Sequence, residues 1–397
     1  MQRFALLPAL LLVGLAWAAN EKPESKPHTL TTKEISDGWL LLFDGQTTFG
    51  WKIDGEASVK DGVLILGGEK ETKASFNTQF GECELAVQFS GSDPHKVQME
   101  VIHNFGVSAL HPWPDVKKNL WQEAKFKINQ RAYSGDFGEP GKPASFSFEA
   151  ADPMFVDLHS TVRLVVPKGI QFQLRSVKLK PTGTKALFNG KDLSGWKEHP
   201  GKKSAFTVED STIHIKNGPG DLQTEGQWAD FVLQLECISN GKHLNSGVFF
   251  RCRPGEYQQG YEAQIHNGFG EQPKEYAIED YDPKTHQLLG TRKEKYLALD
   301  YGTGAIYRRT PARKQMSKDN EWFGMTVVAQ GRHIGVWVNG VQVTDWTDNR
   351  PVADNARKGC MLDKGNISLQ GHDPTTDLSF RNFRIAELAA EKAKAKE

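Results

Sequence analysis

The residues best equipped for chemistry fall in two runs, His243-Leu-Asn-Ser-Gly-Val-Phe-Phe-Arg251 and Tyr261-Glu-Ala-Gln-Ile-His-Asn267. Side chains of an extended strand alternate between faces, so Glu262, Gln264 and His266 share one face while Tyr261, Ala263 and Ile265 share the other. A carboxylate, a carboxamide and an imidazole in one row suit a polar cleft in which a proton is taken or returned. The bland alternative is a solvated outer face. Against it, the preceding run puts Gly247, Phe249 and Arg251 on one side, an aromatic wall with a cationic contact. Asn245 and Ser246 begin that run, where short polar side chains also form turns. Glu236 alternates with Val232 and Gln234 and faces either outward or into the same cleft. Gln370 and His372 enter from a strand end, although a surface loop accounts for His372 equally well. Glu236, Glu262, His266 and His372 also offer oxygen and nitrogen ligands to zinc, manganese or cobalt, with a spacing that matches no compact metal motif.

The elements that must position these groups are short alternating segments bounded by Gly, Asp, Asn and Pro. Glu84–Phe89, Thr161–Val166, Phe231–Glu236, Met325–Ala329 and Ile367–Gln370 are examples. No long helical periodicity competes, so the pattern predicts an all-β sandwich of jelly-roll type. Asn339-Gly340, flanked by alternating apolar residues, predicts a hairpin with a type I′ turn.

The chain also repeats itself. Leu42, Phe43, Gly45, Gly50, Trp51 and Lys52 recur 145 positions later as Leu187, Phe188, Gly190, Gly195, Trp196 and Lys197. That interval is the size of a domain and predicts two copies of one fold, residues 39–181 and 186–388. A closing anchor, Arg175 and Arg381, is separated by 206 positions, so the second copy holds about 61 additional residues. Much of this excess lies between His266 and Trp322, which reads as a long loop serving as a binding wall or lid. The shared arginines argue for a structural ion pair.

Residues 1–18 read as a signal peptide, with Arg3 before an apolar stretch and a small-x-small pattern ending at Ala18, and predict export to the periplasm or beyond. Residues 19–38 read as a flexible leader and 389–397 as a charged tail. Lysine plus arginine number 49 and aspartate plus glutamate 49, which implies no broad attraction to nucleic acid or anionic lipid. Nothing after the leader resembles a membrane span. Four cysteines are too sparse for a disulfide scaffold; Cys237 and Cys252 either pair across a sheet or pack as small apolar side chains.

Taken in order, LFNGKDLSGWK, NSGVFFR, GYEAQIHN, GTGAIY, EWFGMTVVAQG, HIGVWVNGVQV and ISLQGHDPTTDLSFRNFRI resemble the 3-keto-disaccharide hydrolase family. The resemblance spans residues 186–388 and, more weakly, 39–181. It implies two tandem concanavalin-like jelly-roll sandwiches and an enzyme that cleaves 3-keto-glycosides. Carried over by position, it implies cleft residues Glu236, Asn245, Arg251, Glu262, Gln264, Tyr307, Gln370 and His372. The chain departs from the family at His266, where an aspartate is common, and at Gln370-Gly371-His372-Asp373, where Gln-Asp-His-Gly is usual. A 3-keto group acidifies the C2 hydrogen and prepares the C1 oxygen for β-elimination, with hydration completing a net hydrolysis. Such a reaction needs a base, for which Glu262 and His266 are candidates, and an enolate stabiliser, either Arg251 or a divalent metal.

The ketone itself implies dependence on a separate sugar 3-oxidoreductase. The chain carries no Gly-x-Gly-x-x-Gly fingerprint, and no nicotinamide or flavin is expected. In the first copy Ile102-His103-Asn104 parallels Ile265-His266-Asn267, yet Met99 and Val101 then stand opposite Glu262 and Gln264, so that copy reads as noncatalytic. Glu100 would enter its cleft only through a β-bulge. Trp113 and Trp121 form either a sugar-stacking surface or part of a core. Competing functions are a noncatalytic glycan-binding protein and an ordinary glycoside hydrolase using Glu236 and Glu262 as paired carboxylates.

Overall fold

The computed structural model describes residues 28–103, 106–110, 117–129, 132–142, 144, 146–151 and 161–388. The expected signal peptide, Asn104, Trp113 and the charged tail lie outside the described residues.

Within the expected leader, Thr31 and Glu34 form a reciprocal capping box that starts helix α1 (Thr32–Ser36). The first half then contributes β1 (Leu40–Leu41), β2 (Trp51–Asp54), β3 (Ala57–Lys60), β4 (Val63–Leu66), β5 (Thr72–Phe76), β6 (Cys83–Gly91), β7 (Gln98–His103), β8 (Gly106–Leu110), β9 (Gln122–Ile128), β10 (Ala132–Gly138), β11 (Phe146–Ala151), β12 (Thr161–Val166) and β13 (Phe172–Pro181). The second half contributes β14 (Lys185–Ala186), β15 (Trp196–Glu198), β16 (Ala205–Glu209), β17 (Thr212–Lys216), β18 (Gly220–Thr224), β19 (Phe231–Ser239), β20 (Ser246–Cys252), β21 (Tyr261–Ile265), β22 (Phe269–Tyr281), β23 (Leu288–Ala298), β24 (Phe323–Gln330), β25 (His333–Val338), β26 (Val341–Thr347), β27 (Asn366–Gly371) and β28 (Asp377–Glu387). The fold is almost all β.

Two five-stranded sheets, β2-β5-β12-β7-β8 and β15-β18-β27-β20-β21, are each backed by part of one 16-stranded sheet. Its strands run β11-β10-β9-β6-β13-β1-β26-β25-β24-β19-β28-β17-β16, with β4 also on β13 and β14 on β28. The pairing order on either side of the β1–β26 contact is the same: β11-β10-β9-β6-β13-β4-β3 answers β26-β25-β24-β19-β28-β17-β16. The repeated opening phrase does the same job in both places. Gly45 and Gly190 both take φ 73°, and Gly50 and Gly195 take φ 82° and 85°, a left-handed geometry that glycine adopts without a Cβ penalty. These turns deliver Trp51 and Trp196 to the first residue of β2 and β15.

Apolar residues at alternate positions form two clusters. The first includes Phe43, Leu64, Leu85, Phe89, Phe126, Leu164 and Phe172; the second includes Ile213, Leu222, Phe231, Val248, Phe250, Leu369 and Phe380. The first also takes in Val232, Val328 and Trp337 from β19, β24 and β25. Trp337 Nε1 donates to Leu41 O at 3.2 Å, so the halves are packed together.

The Asn339-Gly340 hairpin forms, with φ 47° and 75° at the turn between β25 and β26. The expected long loop after His266 is instead mostly a two-stranded ribbon, β22 with β23. Its strands are exposed along most of their length, so little apolar alternation marks them in the sequence; Tyr276 and Ile278 supply the buried face. The alignment of Ile102-His103-Asn104 with Ile265-His266-Asn267 is also corrected, because β7 occupies the place of β20 in its sheet and β8 that of β21. Glu100 pairs with Arg163 on β12 without a bulge between the two strands. All four cysteines are buried and free, with Cys237 and Cys252 on different sheets.

Candidate active site

Three strands of one sheet, with β20 lying between the last two, carry the same polar-apolar-polar triplet: Asp221-Leu-Gln223 on β18, Ser368-Leu-Gln370 on β27 and Glu262-Ala-Gln264 on β21. The middle residues Leu222, Leu369 and Ala263 enter the second core, which turns every flanking polar side chain to the opposite face. Register then sets the rows. Gln223 is opposite Ser368, Ser368 opposite Phe249, and Phe249 opposite Glu262. One row on, Asp221 is opposite Gln370, and Gly247 is opposite Gln264.

Ile306 bridges Ala263, and Tyr307 N donates to Glu262 O at 3.0 Å. That register sets Tyr307 beside Glu262. Gly247 has a specific reason to be glycine: a Cβ there would lie 2.8 Å from both Cγ and Oε1 of Glu262.

Glu262 is only 5% exposed. Burial pushes its carboxyl up to about 7, reinforced by the Asp300 charge and opposed by Arg357 and Arg308. Arg357 Nη2 is 3.4 Å from Glu262 Oε2, and its guanidinium lies 5.3 Å from the centre of the Phe249 ring. Gln264 Nε2 donates to Asp300 Oδ2 at 3.1 Å, and Asn245 Nδ2 donates to the same oxygen at 2.8 Å. Gln264 Oε1 and Gln370 Oε1 are buried acceptors without a protein partner, a pairing that hydroxyl donors of a ligand would complete.

His266 continues the Glu262–Gln264 alternation and is half-buried, 5.8 Å ring to ring from His243. Burial lowers its pKa, partly offset by Asp300, which favours the neutral imidazole near pH 7. His372 follows Gln370 by two positions, but its ring is 42% exposed and bonds Asp373 at 2.8 Å.

Two expected cleft residues are elsewhere. A bulge in β20 between Phe249 and Cys252, with Arg251 at φ 48°, reverses the alternation and buries Arg251 completely. Its guanidinium donates to Asp230 and to the carbonyls of Ala229, Gly331 and Met361, a structural site that leaves none of its nitrogens for substrate. Glu236 is on β19 in the other sheet, where it accepts from Arg381 Nε at 2.7 Å. Glu236 therefore cannot join Glu262 as a carboxylate pair or as a metal ligand, because the second core separates them. Among the described residues, no group of three or more His, Cys, Asp or Glu side chains is arranged to hold a metal.

The expected set missed Asp300, Arg357, Asp221 and Gln223. Asp221 and Gln223 had a legible signal in the triplet pattern, while Asp300 and Arg357 arrive on irregular segments with no periodicity to reveal them. Asp221 is fully buried, burial raises its pKa, and it accepts from Gln223, Ser368 and the Gln258 backbone.

Among solved structures, the chain is similar to two proteins from Parabacteroides distasonis that are named as glycosyl hydrolases. One is 24% identical, covering 52% of this chain and 100% of the other with a TM-score of 0.38; the second is 21% identical, covering 52% and 94% with a TM-score of 0.39. A carbohydrate-binding module, CBM66 of Bacillus subtilis, is 14% identical over 48% of this chain and 93% of its own, with a TM-score of 0.30. No curated protein matches the chain. The model of the 3-keto-alpha-glucoside-1,2-lyase-like domain matches residues 183–386, which include every residue of the polar sheet face just described, and the chain belongs to that family.

Proposed function

We propose that the face built by β18, β27, β20 and β21 cleaves 3-keto-glycosides or 3-keto-disaccharides by β-elimination followed by hydration. The observation that carries this reading is a buried Glu262 carboxyl with a pKa of about 7 beside the Arg357 guanidinium. Near neutral pH such a carboxylate is strong enough to take the C2 proton and still able to give it back. The C2–H electron pair forms the C1–C2 double bond, and the C1–O bond breaks toward the aglycone. Arg357 takes the part first expected of Arg251, stabilising negative charge on the C3 oxygen. Tyr307, beside Glu262 in register, protonates the departing oxygen, and neutral His266 assists the water that adds back at C1. Gln264, Gln370 and Asn245 hold the sugar hydroxyls.

The same reading takes residues 39–181 and 186–388 as duplicated concanavalin-like sandwiches, the first noncatalytic. The chain is an exported protein, acting after a separate sugar 3-oxidoreductase has supplied the ketone. The deciding assay offers matched native and 3-keto glycosides, before and after chelation. Turnover of the keto form alone, undiminished by chelator, is expected because Arg357 carries the charge stabilisation. Cleavage of the native glycoside, or binding without turnover, would overturn the assignment, and loss on chelation would transfer the stabilising role from Arg357 to a metal.

A further inference from the structure

The first half has an open groove on the outward face of the long sheet. Its volume is about 820 Å³, and its floor comes from β13, β6, β9 and β10. Register orders the floor into rows: Lys180, Glu84, Lys127 and Ser134; then Lys178, Ala86, Lys125 and Asp136. Ala86 leaves the centre of the floor low. Trp39 closes one end, with Lys180 Nζ 5.6 Å from its ring centre; Trp121 closes the other, with the Arg175 guanidinium at 4.5 Å.

The lining has four acidic residues, Glu34, Glu84, Glu123 and Asp136, and four basic ones, Lys125, Lys127, Arg175 and Lys178. Several neutralise one another: Lys178 meets Glu34 at 2.7 Å, and Lys125 meets Glu123 at 3.0 Å. A groove whose lining charges balance, with Lys180 at its edge 3.4 Å from Glu84, gives little general attraction to an ion, yet presents many donors and acceptors between two aromatic platforms. Those features suit a neutral polyhydroxylated chain, whose C–H faces stack on tryptophan while its hydroxyls meet the charged side chains.

The second half supplies an internal comparison. Trp322 and Arg381 repeat the stacked pair at 3.9 Å, and Glu236 stands where Gln88 does. There the outward face is covered by the α1–β1 segment. Gln234 Nε2 donates to Gly38 O at 3.0 Å, and a space of only about 20 Å³ is left among Ile35, Trp39, Gln234 and Gly324. The same side of the sheet is thus filled in one half and open in the other.

We infer that the outward face of the first half is a second saccharide site, taking a neutral oligosaccharide between Trp39 and Trp121 and separate from the Glu262 cleft. The rows and platforms extend over roughly four residues of strand, about 13 Å, which favours a chain of sugars over a single unit. The test is calorimetric titration of the full chain with maltotetraose and cellotetraose, with tetragalacturonate as the charged counterpart. Saturable binding of a neutral tetrasaccharide is expected. Trp121→Ala and Ala86→Trp should weaken it at least tenfold, and Lys127→Ala, an exposed and milder change, severalfold. Arg357→Ala should leave it unchanged, while Ala86→Trp should leave turnover of a small 3-keto glycoside unchanged. Absence of neutral binding, preference for the uronate, or loss in Arg357→Ala but not in the groove variants would overturn the inference without touching the assignment of the cleft.

Discussion

Replacing Glu262 with glutamine separates its chemical task from its energetic burden. The folded carboxyl titrates at about 7 against an ordinary value of 4.5, so the folded chain holds this proton more tightly than the unfolded chain. A raised carboxyl favours folding below the unfolded value and loses that advantage as pH rises through the folded one. One pKa unit is worth about 1.36 kcal/mol, so above pH 7 the ionised Glu262 costs the fold about 3 kcal/mol. Glutamine keeps the shape and an oxygen facing Arg357 but never ionises. Urea unfolding should therefore find Glu262→Gln more stable than the parent by about 1–3 kcal/mol at pH 8, and nearly equal to it at pH 4, below the unfolded value. Turnover should fall by roughly 10²–10⁴, the usual weight of a general base, while the parent's kcat/KM rises with pH through a limb at about 7. A stability difference that is the same at both pH values would refute the buried-carboxyl reasoning. Full turnover in the glutamine variant would refute Glu262 as the base.

Arginine substitutions distinguish the two guanidinium sites. Arg357→Ala should lower kcat by about 10²–10³ with little change in unfolding midpoint, as expected when a charge-stabilising donor is removed. Arg251→Ala should instead destabilise by about 3–5 kcal/mol, because it strands the buried Asp230 carboxylate; equal stability losses in both variants would sink the distinction. Gly247→Ala places a methyl 2.8 Å from Glu262 and should cut turnover severalfold while displacing the pH limb; an unchanged pH profile would show that Glu262 needs no such room.

The sandwich was legible because burial on one side of a sheet imposes alternation: Ile367–Gln370 displays it fully, and Phe231–Glu236 and Met325–Ala329 break it only at Val232 and Val328, which pack into the first core. The same rule located Glu262, Gln264 and His266 on one face. It misplaced Arg251 because parity survives only as far as the next bulge, and the left-handed backbone at Arg251 has no glycine to announce it. Glu236 was ambiguous for a different reason: alternation says which residues share a face, but not which sheet of a sandwich owns the strand. Arg357 and Asp300 were illegible because each reaches the site from an irregular segment, where position follows from tertiary packing.

Trp337, Val232 and Val328 belong by sequence to the half that carries the cleft and by packing to the core of the other. Melting should therefore be a single cooperative event for both halves. A gene fragment beginning near residue 183 would encode every cleft residue yet expose a large indole and two valines on an outward sheet face, together with the unpaired edge of β26. Such an edge recruits other chains. The first half thus acts as a permanent chaperone to its neighbour, which gives selection a reason to retain it whether or not it touches substrate.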